Sequence, residues 1–203
     1  MAKLYFRYGT VGSAKSLNLL AVAHNYERQG KRVLVMKPGF DTRFGAGEVV
    51  SRAGLSRTAG HVLDDRTRLD YTQLLGYDCI LVDEAQFLSV AVVDQLRELT
   101  RRCNTPVICY GLRADFRTRA FAGSLRLFEL ADSIEEIKTT CAFCNRKGVF
   151  NLKHQGGVAT LAGPSKQLGA EETYLPACYC HYMEQLELAT LHELALPNSG
   201  ATE

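Results

Sequence analysis

The feature that constrains this chain most is a short apolar run that breaks into a glycine-bearing loop and then into a helix. Leu4–Tyr8 reads as a strand, Gly9-Thr10-Val11-Gly12-Ser13-Ala14 as the loop, and the stretch from Lys15 to Gln29 as the helix, closed by Gly30 where a C-cap glycine belongs. The spacing Gly9-x-x-x-x-Ala14-Lys15-Ser16 is that of the phosphate loop G-x-x-x-x-G-K-[ST], with alanine in place of the second glycine. Such a loop turns backbone N–H groups inward around a phosphate and aims a helix N-terminus at it. Lys15 would then reach the β- and γ-phosphates of a nucleotide, and the Ser16 hydroxyl would sit on Mg²⁺. The plain alternative is a glycine turn ahead of an amphipathic helix.

A second apolar run, Cys79–Val82, ends in Asp83-Glu84. A buried strand closing on an aspartate is where a magnesium-supporting carboxylate belongs, beside the loop serine. Loop and carboxylate, in this order and each after a strand, predict a nucleoside-triphosphate site, taken as one for ATP. Its residues are Gly9, Thr10, Val11, Gly12, Ser13, Ala14, Lys15, Ser16, Asp83, Glu84, Ala85 and Gln86, with Ser16 and Asp83 on magnesium. Glu84 can accept a proton from an attacking hydroxyl or orient a water. By itself it does not separate a kinase from an ATPase.

Residues 32–36 and 106–112 are further strand candidates, and Val92, Val93, Leu96 and Leu99 recur at helical spacing within 89–102. Residues 40–60, with their glycines and alternating charges, read as a long loop, a kind that is often functional. Strands alternating with helices predict an α/β fold of the phosphate-loop NTPase kind, a mostly parallel sheet with helices on both faces. Ligands bind such sheets at the carboxyl ends of the strands. The loops 9–14, 83–87 and 113–123 should therefore converge on one cleft.

Past residue 138 the composition changes. Two cysteine pairs bracket residues 145–177, rich in Gly, Gln and Lys, which read as a small lobe with a flexible loop; residues 182–194 read as a short helix. The expected division is 1–138 for the ATP-binding part, 139–182 for the lobe, and 183–203 for a helix and tail. Cys79 and Cys109 lie in apolar runs and behave as small buried hydrophobes. Cys141-x-x-Cys144 and Cys178-x-x-His181 offer four ligands suited to structural, tetrahedral Zn²⁺. Cys180 rivals His181, which the matching two-residue spacer favours. A net charge of +2 is too small for capture of nucleic acid by a dense basic face, and no apolar run approaches the ~18 residues of a membrane span. The N-terminus lacks the apolar stretch and cleavage site of a signal peptide, so the expectation is a cytoplasmic protein.

From Leu4 to Tyr182 these residues resemble the zinc-containing thymidine kinases of the bacterial and eukaryotic-cytosolic type. The marks are the phosphate loop, Asp41-Thr42-Arg43-Phe44-Gly45-Ala46-Gly47, Val82-Asp83-Glu84-Ala85-Gln86-Phe87, Tyr110-Gly111-Leu112-Arg113-Ala114-Asp115-Phe116, the cysteine pairs, and Tyr174 four residues before Cys178. The resemblance implies that Glu84 acts as base on the thymidine 5′-hydroxyl. It implies that Arg43 approaches the transferring phosphoryl group, and that Asp41 lines the same region. Phe87, Phe116, Leu112 and Val11 would wall the base pocket. A lasso loop, roughly residues 165–174, would grip thymine through its backbone, with Tyr174 stacked nearby. The family is also expected to be tetrameric and inhibited by thymidine triphosphate. Two departures stand out: Ala14 in the phosphate loop, and Leu168-Gly169-Ala170 where the lasso usually reads Ile-Gly-Gly. On residue type alone, Phe87 and Phe116 could instead be core aromatics, and Arg113, Arg117, Arg119 and Arg126 a solvated face or subunit contacts. A nucleic-acid-handling ATPase and a non-catalytic nucleotide-binding module are the competing functions.

Overall fold

The structure, a computed structural model, describes residues 1–39, 47–165 and 174–195, with side chains as far as residue 190. Its centre is a six-stranded sheet. In chain order the strands are β1 (Leu4–Tyr8), β2 (Val33–Pro38), β5 (His61–Leu63), β6 (Cys79–Val82), β7 (Val107–Gly111) and β8 (Ser133–Glu136). Across the sheet the order is β5-β2-β6-β7-β1-β8, and every neighbouring pair is parallel. Parallel pairs need crossover connections, which α1 (Lys15–Arg28), α2 (Val90–Arg102) and α3 (Ala122–Leu130) help to supply.

The two faces are legible residue by residue, because side chains alternate across a strand. Ile80, Val82, Val107 and Cys109 point to one face, where they pack with Val92, Val93, Leu96 and Leu99 of α2. Cys79, Leu81, Ile108 and Tyr110 point to the other, against Leu19, Leu20 and Ala23 of α1. Fully burying one such aliphatic side chain contributes about 1.5–3 kcal/mol, so these two layers hold the sheet between its helices. The Ser89 hydroxyl caps α2 by accepting the Val92 N–H at 3.4 Å.

Three segments differ from the sequence expectation. Within the stretch read as a loop, β3 (Glu48–Val50) and β4 (Ser56–Thr58) form an antiparallel hairpin. The small lobe, for which no strands were read, holds a sheet of β9 (Phe150–Gln155), β10 (Val158–Ala159) and β11 (Tyr174–Ala177), in the order β10-β9-β11. Here Lys and Gln hid a strand whose Asn151, Leu152 and Lys153 are all buried. The C-terminal helix α4 (Tyr179–Ala195) starts three residues earlier than the apolar spacing indicated, directly after Cys178. Strands β6, β7 and β1 are consecutive neighbours, so the loops leaving their carboxyl ends lie side by side.

Candidate active site

The phosphate loop is strained where its sequence departs from the glycine pattern. Ala14, in the position of the second glycine, has φ 62° and ψ 30°, the left-handed region, which costs a residue with a Cβ roughly 1–2 kcal/mol. Gly12 has φ 77°. Gly9 is required by close approach: a Cβ there would meet the Ile137 carbonyl at 2.6 Å. Helix α1 starts directly after Ala14 with no side-chain cap and no acidic residue in its first turn, so its positive end is left for an anion.

Lys15 is buried, and its ammonium donates to the Thr10 carbonyl at 2.7 Å and to Ser13 Oγ at 3.4 Å. Ser16 Oγ donates to Asp83 Oδ2 at 2.9 Å, joining the start of α1 to the end of β6. Burial, and then the charge of Glu84, push the Asp83 carboxyl well above its ordinary range, while the Ser16 hydrogen bond and Lys15 oppose the shift. A buried carboxylate of this kind suits a dication, which would favour its ionised form. Thr10 Oγ1 is buried with no hydrogen-bond partner among the described residues. An oxygen-rich ligand in the loop would satisfy it. These donors and the carboxylate fit magnesium-bound nucleotide phosphates.

Glu84 is the second non-glycine residue of the site with a left-handed backbone, at φ 48° and ψ 37°. Strain of this kind persists where the surroundings over-determine it. Gln86 supplies much of that determination. Its Nε2 donates to Glu84 Oε2 at 2.5 Å, and its Oε1 accepts the Leu112 N–H at 3.0 Å. Gln86 thereby ties the β6 loop to the β7 loop. Gly123 lets α3 close on the same turn, where a Cβ would meet the Ala85 and Leu88 carbonyls at 2.8 and 2.7 Å. Ala85, grouped with the ATP residues on sequence, is wholly buried in the core on the α2 side.

The loops enclose a cleft of about 440 Å³. Val11, Gly12, Ala14, Lys15 and Ser16 line one part of it, and Glu84, Gln86, Phe87, Leu112 and Phe116 another, with Tyr174 and Ser165 at the root of the lasso segment. Phe87 meets Phe121 edge-on with centroids 5.7 Å apart, and Phe116 lies 6.1 Å from Tyr174. Phe116 is both a core residue and a cleft wall, only 1% exposed, and its carbonyl accepts the Tyr182 hydroxyl at 2.6 Å. Asp41, Arg43 and lasso residues 166–173 lie outside the described residues.

Five lining groups were not singled out from sequence: Leu17, Phe121, Asp115, Asn151 and the turn at residues 50–53. Asp115 was visible within the Leu112–Phe116 motif, and it holds the loop by accepting the N–H groups of Arg117 and Arg119, each at 2.9 Å. Asn151 had no signal. It reaches from β9 to accept the Val11 N–H at 2.8 Å and to donate to the Ala114 carbonyl at 2.9 Å. Of the four arginines set aside, Arg126 pairs with Asp94 and Glu129, whereas Arg117 holds the carbonyls of Leu161 and Gly163.

Away from the cleft, Cys141, Cys144, Cys178 and His181 converge, with their ligand atoms all within 4.8 Å of one another. The Cys144–Cys178 sulfurs are 3.9 Å apart, and His181 Nδ1 lies 3.6 Å from Cys141 Sγ and 3.3 Å from Cys178 Sγ. A tetrahedron with ~2.3 Å metal–sulfur bonds has edges near ~3.8 Å, so the donor set fits zinc. Burial opposes ionisation of Cys141, but backbone N–H donors and the His181 ring outweigh it and bring that thiol down to about 6. Cys180 is exposed and faces Arg146 instead, at 3.4 Å. His181 Nε2 has Glu184 Oε2 3.7 Å away, on the side remote from the cluster.

A parallel sheet with a phosphate loop after its first strand, and an acidic strand end beside that loop, defines a phosphate-loop α/β nucleotide-binding protein. Known proteins narrow the class. The family model described as thymidine kinase matches residues 2–182, and the chain belongs to that family. The thymidine kinase of Streptococcus gordonii is 45% identical over 186 residues, which is 91% of this chain and 97% of that protein. That of Lactococcus lactis subsp. lactis is 44% identical over 186 residues, 91% of this chain and 98% of that one. Among solved structures, the Pif1 helicase from Candida albicans overlaps 67% of this chain and 36% of its own, with a TM-score of 0.40 and 11% identity, a likeness too distant to carry an argument. No helix among the described residues is long and apolar enough to cross a membrane.

Proposed function

We propose that this chain is an ATP-dependent thymidine kinase, transferring the γ-phosphoryl group of ATP to the 5′-hydroxyl of thymidine and accepting deoxyuridine on the same geometry. The observation that carries it is Glu84, set by its strained backbone and by Gln86 between the Ser16–Asp83 pair and an aromatic-walled cleft. The Glu84 carboxylate takes the proton of the nucleoside hydroxyl. The 5′-oxygen bonds to the γ-phosphorus, and the bond to the β–γ bridging oxygen breaks to leave ADP. Lys15 and the positive end of α1 hold the phosphates, and Arg43, with Asp41 nearby, meets the transferring group. Ser16 and Asp83 would hold Mg²⁺, which neutralises charge building on the phosphate oxygens. Phe87, Leu112, Phe116 and Tyr174 flank the base and sugar.

The division at residues 138 and 182, a structural zinc ion on Cys141, Cys144, Cys178 and His181, a homotetramer, inhibition by thymidine triphosphate and a cytoplasmic location complete the proposal. The test is to offer thymidine, deoxyuridine and deoxycytidine side by side with labelled ATP. Thymidine and deoxyuridine should be labelled and deoxycytidine should not. Equal labelling of deoxycytidine would remove the thymine-gripping lasso from the account.

A further inference from the structure

We propose that Asn151 is a positioning residue for phosphoryl transfer, setting the phosphate loop in register with the nucleoside wall of the cleft; this rests on the kinase reading above. Asn151 stands on β9, outside the parallel sheet, yet it lines the cleft and is only 6% exposed. Both ends of its amide are engaged. Oδ1 accepts the Val11 N–H at 2.8 Å, and Nδ2 donates to the Ala114 carbonyl at 2.9 Å. A buried amide with its acceptor and its donor both matched fixes two backbones relative to each other.

The two backbones belong to the two sides of the reaction. Val11 is part of the phosphate loop, and Ala114 lies between Leu112 and Phe116, which wall the cleft. At the root of both loops the Gly9 N–H donates to the Gly111 carbonyl at 3.2 Å. Asn151 ties the same two loops again, further along each. The strand that carries it is itself anchored. Arg113 Nη2 donates to the Val149 carbonyl at 3.4 Å, Leu152 is wholly buried, and β11 pairs along β9 with Pro176 opposite Asn151. Each substrate can bind its own loop whatever the register between them. Transfer cannot, because the γ-phosphorus and the 5′-oxygen must meet in line, and a misplacement of about 1 Å costs on the order of 10²-fold. The Asn151 tie therefore acts on the step that needs both loops at once.

The experiment compares the natural protein with Asn151→Val and Asn151→Thr, two β-branched side chains of similar shape that suit a strand. They differ in one hydroxyl, which can both accept and donate. Calorimetry measures Mg²⁺-ATP and thymidine separately, and steady-state kinetics measures the transfer. Asn151→Val should lower kcat roughly ten- to hundredfold while each separate affinity stays within about threefold of the natural protein. Asn151→Thr should recover at least part of the loss. Natural kcat in Asn151→Val overturns the proposal, as does a threonine variant no better than valine. A loss confined to thymidine affinity with kcat intact also overturns it, and would make Asn151 a contact of the base. If Asn151→Val does not fold, hydrogen exchange at the Val11 amide of the natural protein decides: it should be slow without nucleotide, and fast exchange overturns the tie. Failure of the natural protein to phosphorylate thymidine would overturn the kinase reading itself, whereas full turnover by the natural protein and the valine variant alike would overturn Asn151 alone.

Discussion

The phosphate loop at one side of the cleft is one unbroken stretch, residues 9–16, whereas the side proposed to hold the nucleoside is collected from residues 84–87, 112–121, 151 and 174. The first is a strand, a tight turn and a helix start, and its geometry follows from local rules. The second exists only once β6, β7, α3 and the β9–β11 sheet are docked. Its groups are held by long-range bonds such as Gln86 to Leu112 and Asn151 to Val11 and Ala114. A local site is tuned by single backbone conformations. An assembled one depends on everything that brings its pieces together, including the cysteine cluster at the far end of β11.

That contrast can be broken most sharply at Glu84, the hinge between the two sides. Glu84→Gln should leave the affinities for ATP and thymidine nearly unchanged and lower turnover by roughly 10²–10⁴-fold, the usual worth of a general base. Steady-state kinetics with calorimetric binding measures both, and near-normal turnover would take Glu84 out of the reaction.

Next in size is the cysteine cluster. Metal analysis should find about one zinc ion per chain. Cys144→Ser should lose it and raise the thymidine KM before ATP binding suffers, because β11 carries Tyr174 while residues 9–16 stand on the parallel sheet. Cys180→Ser should keep the metal, since that thiol points away from the cluster. If Cys144→Ser abolishes ATP binding and thymidine binding together, the two sides are not separable.

Phe116→Ala should follow. Truncating a buried phenylalanine costs about 3–5 kcal/mol, here divided between stability and the nucleoside wall, because Phe116 serves both. The melting temperature should drop, and in the protein that remains folded the thymidine KM should rise more than that for ATP. A pure loss of stability with unaltered KM would leave Phe116 as core alone.

The smallest effect belongs to the local side. Ala14→Gly should relieve the left-handed strain and tighten ATP by up to about tenfold, the equivalent of roughly 1–2 kcal/mol, with thymidine affinity unchanged. Unaltered ATP affinity would mean that the strain is present equally with and without nucleotide.

The same division explains how much of the molecule the sequence disclosed. The phosphate loop, Asp83 and Glu84, the strands carrying them and helix α2 were legible because each is a contiguous pattern with one physical meaning. So were the four cluster ligands, where spacing alone preferred His181 to Cys180. The β3–β4 hairpin and β9 were not, since the hairpin strands are only three residues long and β9 alternates apolar with polar residues too briefly to mark a strand, while burial of Asn151 and Lys153 comes from tertiary docking. Helix α3 went unread because it is only nine residues long, and its glycine, which looks like a loop signal, is there to let the Ala85–Phe87 turn approach. Asn151 shows the general limit. A polar side chain that acts across a distance of more than a hundred residues leaves no periodic mark.

The most direct measurement follows the label of γ-labelled ATP incubated with thymidine and the zinc-loaded protein. A thymidine kinase moves the label to thymidine monophosphate, one for each ADP formed, and consumes little ATP when thymidine is withheld. Label released as inorganic phosphate at a rate indifferent to thymidine, or no ATP consumption at all, would contradict the account.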